Sequence, residues 1–384
     1  MIYKLCNQVK HYEWGSQEFI PRLMGLATNG EPWAELWMGS HSGSPSLAML
    51  PDGKISLGEL IARDPRRYLG SKTQERYGSL PFLFKLLAAE KPLSIQVHPN
   101  LAQAREGFER ENMEGLPPDA PKRSYRDSNH KPEILCAITP FSGMCGFRSP
   151  GEILRLFDIF LYGSHLREGL APLTQALEIP NEASALRNFL QALFGLSLPL
   201  RRELTKFVLS SELELMRYFA QLYPDDPAII SPLYLNAFRL EPGEAIFLEA
   251  GVPHAYIHGC GVELMANSDN VLRGGLTPKH IDVPELIKVL NYVPSELQII
   301  KPQPACSCFT YPAPCDEFSL TVMRQTQTEF ASHAPSICIV TEGEVSVGGT
   351  ILKQGESAFI PPCGDSPLPL RGSFTLYIAS VPLP

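Results

Sequence analysis

The chain has 384 residues, 44% hydrophobic and 19% charged, a profile of a folded globular protein and not of a disordered or fibrous one. That length exceeds what a single hydrophobic core sustains, so two or three domains are expected. The 33 basic and 41 acidic residues leave a net charge of −8, which argues against nucleic acid or an anionic membrane as the main partner.

The first residues, Met1-Ile2-Tyr3-Lys4-Leu5-Cys6-Asn7-Gln8, lack the apolar core of a signal peptide. No stretch approaches the roughly 20 apolar residues of a membrane span. An odd count of nine scattered cysteines suits reduced thiols, so a cytoplasmic protein is expected. Proline, at 36 residues, sits between short apolar runs and favours strands and turns over a helical bundle. A helix is predicted around Ser56 to Tyr68, opened by the capping-box pattern Ser56-Leu57-Gly58-Glu59. Another, around Asn100 to Glu111, has Asn100 as its cap.

Just before that cap, Ser94-Ile95-Gln96-Val97-His98-Pro99 reads as a strand. Leu93, Ile95 and Val97 alternate with the polar residues, and residues two apart share a face, so Gln96 and His98 can converge on one point. Alone, such a pair is more often just two solvated side chains than a metal site. A second polar segment, Tyr125-Arg126-Asp127-Ser128-Asn129-His130-Lys131-Pro132-Glu133, runs directly into the apolar strand Ile134-Leu135-Cys136-Ala137-Ile138. A carboxylate at the mouth of a buried strand is costly unless paired or metal-bound; otherwise Glu133 simply ends a solvated loop.

From about 151 to 225 the pattern turns helical. Ile153, Leu154, Leu156 and Phe157 recur at helical spacing, as do Leu186, Phe189, Leu190 and Leu193, then Leu204, Phe207 and Val208, and finally Leu213, Leu215, Met216 and Phe219. This is read as an all-helical insertion without chemistry of its own. Strands return from Leu235. The turn Leu240-Glu241-Pro242-Gly243-Glu244 precedes the strand Ala245-Ile246-Phe247-Leu248, and Leu352-Lys353-Gln354-Gly355-Glu356 precedes Ser357-Ala358-Phe359-Ile360. This is a weak internal repeat of β-barrel type. The first copy continues to Pro253-His254 and the second has no histidine, so the first can bind a metal and the last cannot. Cys306-Ser307-Cys308 is read as a structural pair of small apolar residues, since no second Cys or His pair stands at zinc spacing.

Gln96, His98, Glu133 and His254 together form a nitrogen and oxygen donor set compatible with zinc, with room left for water or substrate. The stretch from Glu263 to His280, dense in Asn, Asp, Arg and Lys with paired glycines, does not suit a packed element. It reads as lining a pocket for a polyhydroxylated anionic ligand, or as an exposed charged loop.

Three of these segments, Ser94 to Pro99, Asn129 to Glu133 and the Met265 to Asp282 loop, resemble type I phosphomannose isomerases in order and over nearly the whole chain. The resemblance implies a mainly β fold with an α-helical insert, built of two cupin-like jelly-roll barrels and a small helical domain. The implied division is a catalytic barrel in 1–150 and 231–295, a helical domain in 151–230, and a metal-free β domain in 296–384. It also implies one zinc ion per chain, on the same Gln96, His98, Glu133 and His254. The expected reaction is interconversion of mannose 6-phosphate and fructose 6-phosphate through a cis-enediol or enediolate. Substrate contacts are implied for Ser94, Lys85, Lys279, Glu263 and His130, and catalytic roles for Arg273, Lys131 and Asp269, with Lys131 preferred as the base.

The general cupin pattern has Pro and Asn where this chain has Glu249 and His258, although the isomerase motifs are intact. The remaining alternatives are an isomerase of broader sugar-phosphate preference and a silent double barrel that senses or stores a sugar. Retention of Lys131, Asp269 and Arg273 argues against the silent reading. A sugar phosphate is the expected partner and a monomer the expected state.

Overall fold

A computed structural model describes residues 1–302, 306–364 and 366–382. Its strands form one sheet system of 11 strands and another of 9, with helices gathered mainly between residues 150 and 233. The architecture is thus mainly β with helices. Among the described residues no helix is long and apolar enough to cross a membrane.

The organising element of the first sheet is the long strand His254–Ala266. Its second half pairs antiparallel with Phe82–Ala89 on one side and Glu133–Ala137 on the other. Its first half pairs with Phe141–Phe147, and His254 also stands opposite Gln96. The change of partner occurs where the register shifts between Tyr256 and His258. Gly259 follows at φ +128°, where a Cβ would stand 2.7 Å from the Pro140 carbonyl oxygen. Only glycine lets the strand turn there.

Strand alternation sorts this sheet into two faces. Leu86, Ile134, Cys136, Val262 and Leu264 point to one side and join a core with Ile337, Phe359 and Tyr377 of the second sheet. Lys85, Glu133 and Glu263 take the other side. Lys85 lies directly across from Glu263, and Glu133 directly across from Met265. The same alternation holds in the short strand around Gln96–Val97. Ile95 and Val97 are buried in a core continuous with the helices, among Phe157, Phe189 and Leu193. The helical region therefore backs the strand that presents Gln96 and His98. Helices Pro150–Phe160, Glu182–Phe194, Leu198–Leu209 and Glu214–Leu222 coincide with the periodic runs in the sequence.

Four details differ from the sequence reading. The helix expected over Ser56 to Tyr68 is two: Leu57–Arg63, where the Ser56 hydroxyl accepts the Glu59 N–H at 3.1 Å, and Pro65–Leu69. A residue before proline avoids the helical region, so Asp64 ends the first helix and caps the second through the Arg67 N–H. Next, the amino-terminal strands are shared between sheets. Tyr3–Cys6 pairs with Ser357–Ile360 and with Leu47–Leu50, placing them in the second sheet rather than the first. No local pattern encodes such long-range pairing. The segment read as an unpacked polar loop from Glu263 begins inside the buried strand, because Lys85 neutralises Glu263 and Leu264 to Ala266 fill core. Finally, Cys306 and Cys308 are exposed thiols and fill no core; all nine cysteines are unpaired. The repeat is visible: Ala245–Leu248 and Ser357–Ile360 each follow a glycine at positive φ, Gly243 at +89° and Gly355 at +81°.

Candidate metal centre

His98, Glu133 and His254 are all buried, and one donor atom from each lies within 4.8 Å of the others. They come from separate elements. His98 follows the Gln96–Val97 strand, Glu133 opens Glu133–Ala137, and His254 opens the long strand. Gln96, opposite His254 in the ladder, is half-buried and lines the same cavity of about 60 Å³ as Glu133 and His254.

The hydrogen bonds determine which imidazole nitrogens face inward. His98 Nδ1 lies 2.7 Å from the Asn270 carbonyl oxygen, and His254 Nδ1 lies 3.0 Å from that of Val252. A carbonyl accepts only, so both Nδ1 atoms carry the proton and both Nε2 atoms hold a lone pair. Those Nε2 atoms point at Glu133 Oε2, at 3.5 and 3.4 Å. His98 Nε2 is buried without any hydrogen-bond partner. Lone pairs facing a carboxylate oxygen repel one another unless a cation lies between them. The set fits Zn²⁺, which takes neutral imidazole and carboxylate in tetrahedral or slightly expanded geometry.

The electrostatics agree with this arrangement. Burial pushes the His98 imidazole down to about 4, keeping it neutral, against the opposing pull of Glu133. Burial by itself raises the Glu133 carboxyl, but Lys131 and then His98 hold it well below the usual carboxylate range. Lys131 Nζ is 3.2 Å from Glu133 Oε1, the oxygen turned away from the histidines.

The other predicted residues fall into three groups. Lys85 is buried, 3.1 Å from Glu263 and 3.4 Å from Glu35. Burial opposes its charge, yet Glu263 and then Glu35 overcome that and hold the ammonium above its ordinary range. Glu263 is raised by burial, against Lys85. Lys85 and Glu263 line the same cavity as the metal ligands, so Lys85 has carboxylate partners already.

The second group is cationic. Arg273 stands opposite Gln96 in a two-residue strand, half-buried, and burial and then Arg126 lower its guanidinium. Lys279, on the exposed loop beyond, is lowered by burial, then Arg273 and Arg126. Cations gathered this way destabilise one another and stabilise an anion. Ser94, half-buried, shares the Gln96 side of its strand.

The third group is the polar belt of the 125–131 and 267–271 loops. The Asn270 side chain donates to the Asp127 and Asn129 carbonyls, and its oxygen accepts the Arg126 N–H. The Asn270 carbonyl is also the one that orients His98, so this belt sets the ligand. Asp269 has its N–H bonded to Asp127 Oδ2 at 2.7 Å, and its carboxyl is lowered first by a hydrogen bond from His41. His130 Nε2 lies 2.8 Å from Glu317 Oε1.

Sequence reasoning missed Glu35, His41, Arg126 and Tyr256. Tyr256 was reachable by alternation, two residues after His254. Its hydroxyl is buried in the same cavity without a partner, and burial, then Glu263, raises it well above its usual value. Glu35 and His41 carry no spacing signal, because only the pairing of Glu35–Met38 with Phe82–Ala89 brings them near Lys85 and Asp269.

The model of the type I phosphomannose isomerase catalytic domain matches residues 2–150. Mannose-6-phosphate isomerase of Salmonella typhimurium is 39% identical over 401 residues, covering 99% of both chains, and the Homo sapiens enzyme is 34% identical over 99% of this chain and 93% of its own. A crystal structure of the Salmonella typhimurium isomerase bound to fructose 6-phosphate and zinc superposes with a TM-score of 0.90, at 37% identity over the whole of both chains. A zinc-bound holo form of a mannose 6-phosphate isomerase gives 0.91 at the same identity and coverage. With a pair of inward imidazole lone pairs, a buried carboxylate and full-length likeness of this degree, the chain belongs to the type I phosphomannose isomerase family.

Proposed function

We propose that the chain is a zinc-dependent aldose–ketose isomerase that interconverts mannose 6-phosphate and fructose 6-phosphate through a cis-enediol or enediolate. The single observation that carries this is the convergence of His98 Nε2, His254 Nε2 and Glu133 on one point, with His98 Nε2 lacking any other partner. Gln96, which lines the same cavity, would supply its Oε1 as the fourth ligand. Bound zinc would act as a Lewis acid toward oxygens of the sugar.

The protein's own groups have distinct tasks. Arg273, Lys279 and Ser94 hold the phosphate end and the developing oxyanion; Arg273 supplies a fixed, planar cation near the metal ligands. A proton must leave one of the two carbons and return to the other, while a second shifts between their oxygens. Lys131, whose Nζ lies 3.2 Å from Glu133 Oε1 beside the metal ligands, handles the proton that moves between the two oxygens. Asp269, ionised and only partly covered, collects the carbon-bound proton at its carboxylate. This reverses the preference for Lys131 drawn from the sequence. Glu263, kept in place by Lys85, and the Tyr256 hydroxyl face the sugar hydroxyls. Lys85 enters as the counter-charge of Glu263 and Glu35, and His130 as a tie to Glu317, in place of direct substrate contacts.

We also propose that the polar-lined sheet is a catalytic cupin-like jelly roll built from 231–295 and from 1–150 less three strands that cross to the second sheet, with a helical domain at 151–230. The remainder, 296–384 with the strands Tyr3–Cys6, Leu47–Leu50 and Gly53–Ser56, would form a metal-free second barrel. A monomer is the state that goes with this reading, and nine free thiols suit the cytoplasm.

The test is a coupled assay of fructose 6-phosphate formation with and without chelator. Loss of turnover on chelation and recovery with zinc is the expected outcome. Full turnover in protein shown to be metal-free would refute the assignment.

A further inference from the structure

We propose that His41 is a positioning residue for the isomerisation, its Nε2–H holding the Asp269 carboxylate in the orientation from which it takes the carbon-bound proton. The proposal rests on the base assignment made above for Asp269 and extends it to a residue outside the metal and phosphate groups.

His41 Nε2 stands 3.2 Å from Asp269 Oδ2. The other ring nitrogen fixes the tautomer: the Gly43 N–H donates to His41 Nδ1 at 3.1 Å, so Nδ1 is an acceptor and the proton sits on Nε2, facing Asp269. The ring is held edge-on against Trp37, with centroids 5.0 Å apart and planes at 85°. Trp37 is held in turn by its Nε1–H to Glu35 at 2.7 Å. The His41 side chain is 10% exposed and that of Asp269 41%, so the imidazole is the buried partner and the carboxylate the presented one.

Asp269 is thus gripped twice, at its backbone N–H by Asp127 and at Oδ2 by His41, while Oδ1 takes no part in either contact. A buried imidazole that fixes one carboxylate oxygen while the other acts reproduces the orienting logic of a dyad, with the carboxylate as the reacting member. The charges of Lys131 and Arg126 also act on this carboxylate, and its charge acts on Tyr12. Lys131 is itself drawn to Glu133, 3.2 Å away, whereas the Gly43 N–H fixes the His41 ring with its Nε2–H toward Asp269.

Two measurements test the role. Long-range proton–nitrogen correlation of histidine-labelled zinc enzyme, with the His41 signal identified by its loss in His41→Ala, should show a neutral Nε2–H imidazole near pH 7.5. A Nδ1–H or doubly protonated ring overturns the proposal. Kinetically, His41→Ala should lower kcat about 10- to 100-fold with KM nearly unchanged, the scale of a misplaced reacting group. Zinc content should be retained, and His41→Gln, whose amide reaches about as far as the ring Nε2–H, should restore most of the rate. In an Asp269→Asn background the same substitution should cost nothing further. Equal losses in both backgrounds overturn the positioning role alone. Undiminished turnover of Asp269→Asn overturns the base assignment and this role with it.

Discussion

The two sheets of this protein carry the same turn-and-strand unit and fill their interiors in opposite ways. After Gly355, the strand Ser357–Ile360 contributes to a core of Val340, Val345, Leu352, Ile360, Leu376 and Ile378, apolar throughout. After Gly243, the strand Ala245–Leu248 pairs with Glu133–Ala137, whose inner face belongs to a cavity of carboxylates, lysines and imidazoles. One interior is packed for stability, the other is held open for chemistry. The open one keeps its shape because its back is covered twice, by the second sheet through Phe84, Leu86 and Val262 and by the helices through Ile95 and Val97.

The sharpest way to break the contrast is to remove the chemistry and keep the volume. Glu133→Gln alters one atom, yet it takes away the charge that the two imidazoles and Lys131 share. Zinc content should fall and turnover with it, on the order of 10³-fold. Metal analysis beside the assay checks this, and stoichiometric zinc with full rate would contradict it.

Charge balance inside the open sheet is the next target. Lys85→Met leaves Glu263 and Glu35 buried without their counter-ion, a loss of about 3–5 kcal/mol in denaturant unfolding. Adding Glu263→Leu should recover most of that stability without recovering activity, moving this interior toward the character of the other. If the double variant is as unstable as the single one, the penalty is not one of uncompensated charge.

In the packed sheet the opposite pattern holds. Leu376→Ala should cost about 2–5 kcal/mol through its cavity, while kcat of the folded fraction stays at the wild-type value. A proportionate drop in kcat would show that the second sheet shapes the site directly.

The smallest effect belongs to pH in the metal-free protein. An imidazole harder to protonate in the fold than in the unfolded chain gives the unfolded state more protons as pH falls. Stability should therefore be complete above pH 6.5 and decline toward pH 4, by about 3 kcal/mol for His98 alone. Zinc should move the onset of that decline to lower pH. Identical unfolding curves at pH 7.5 and 4.5 would exclude the buried neutral imidazole.

The ligands themselves were readable along the chain because their signals are local. Gln96 and His98 obey the two-residue period of a strand, Glu133 stands at the entrance to an apolar run, and His254 follows a recognisable turn. The helices were legible for the same reason, since a 3.6-residue period is written in consecutive residues. The split of the Ser56 to Tyr68 helix is written locally too, in the Asp64-Pro65 step.

What the chain order could not disclose was partnership across the fold. The amino-acid sequence determined which side chains can ligate, cap, turn or fill a core. Tertiary structure decided that Lys85 faces Glu263 and Glu35, that the Asn270 carbonyl selects the His98 tautomer, that Tyr3–Cys6 lies in the distant sheet, and that His41 meets Asp269. The physical reason is that periodicity specifies which face a residue takes, whereas strand register across tens or hundreds of residues specifies what it meets there.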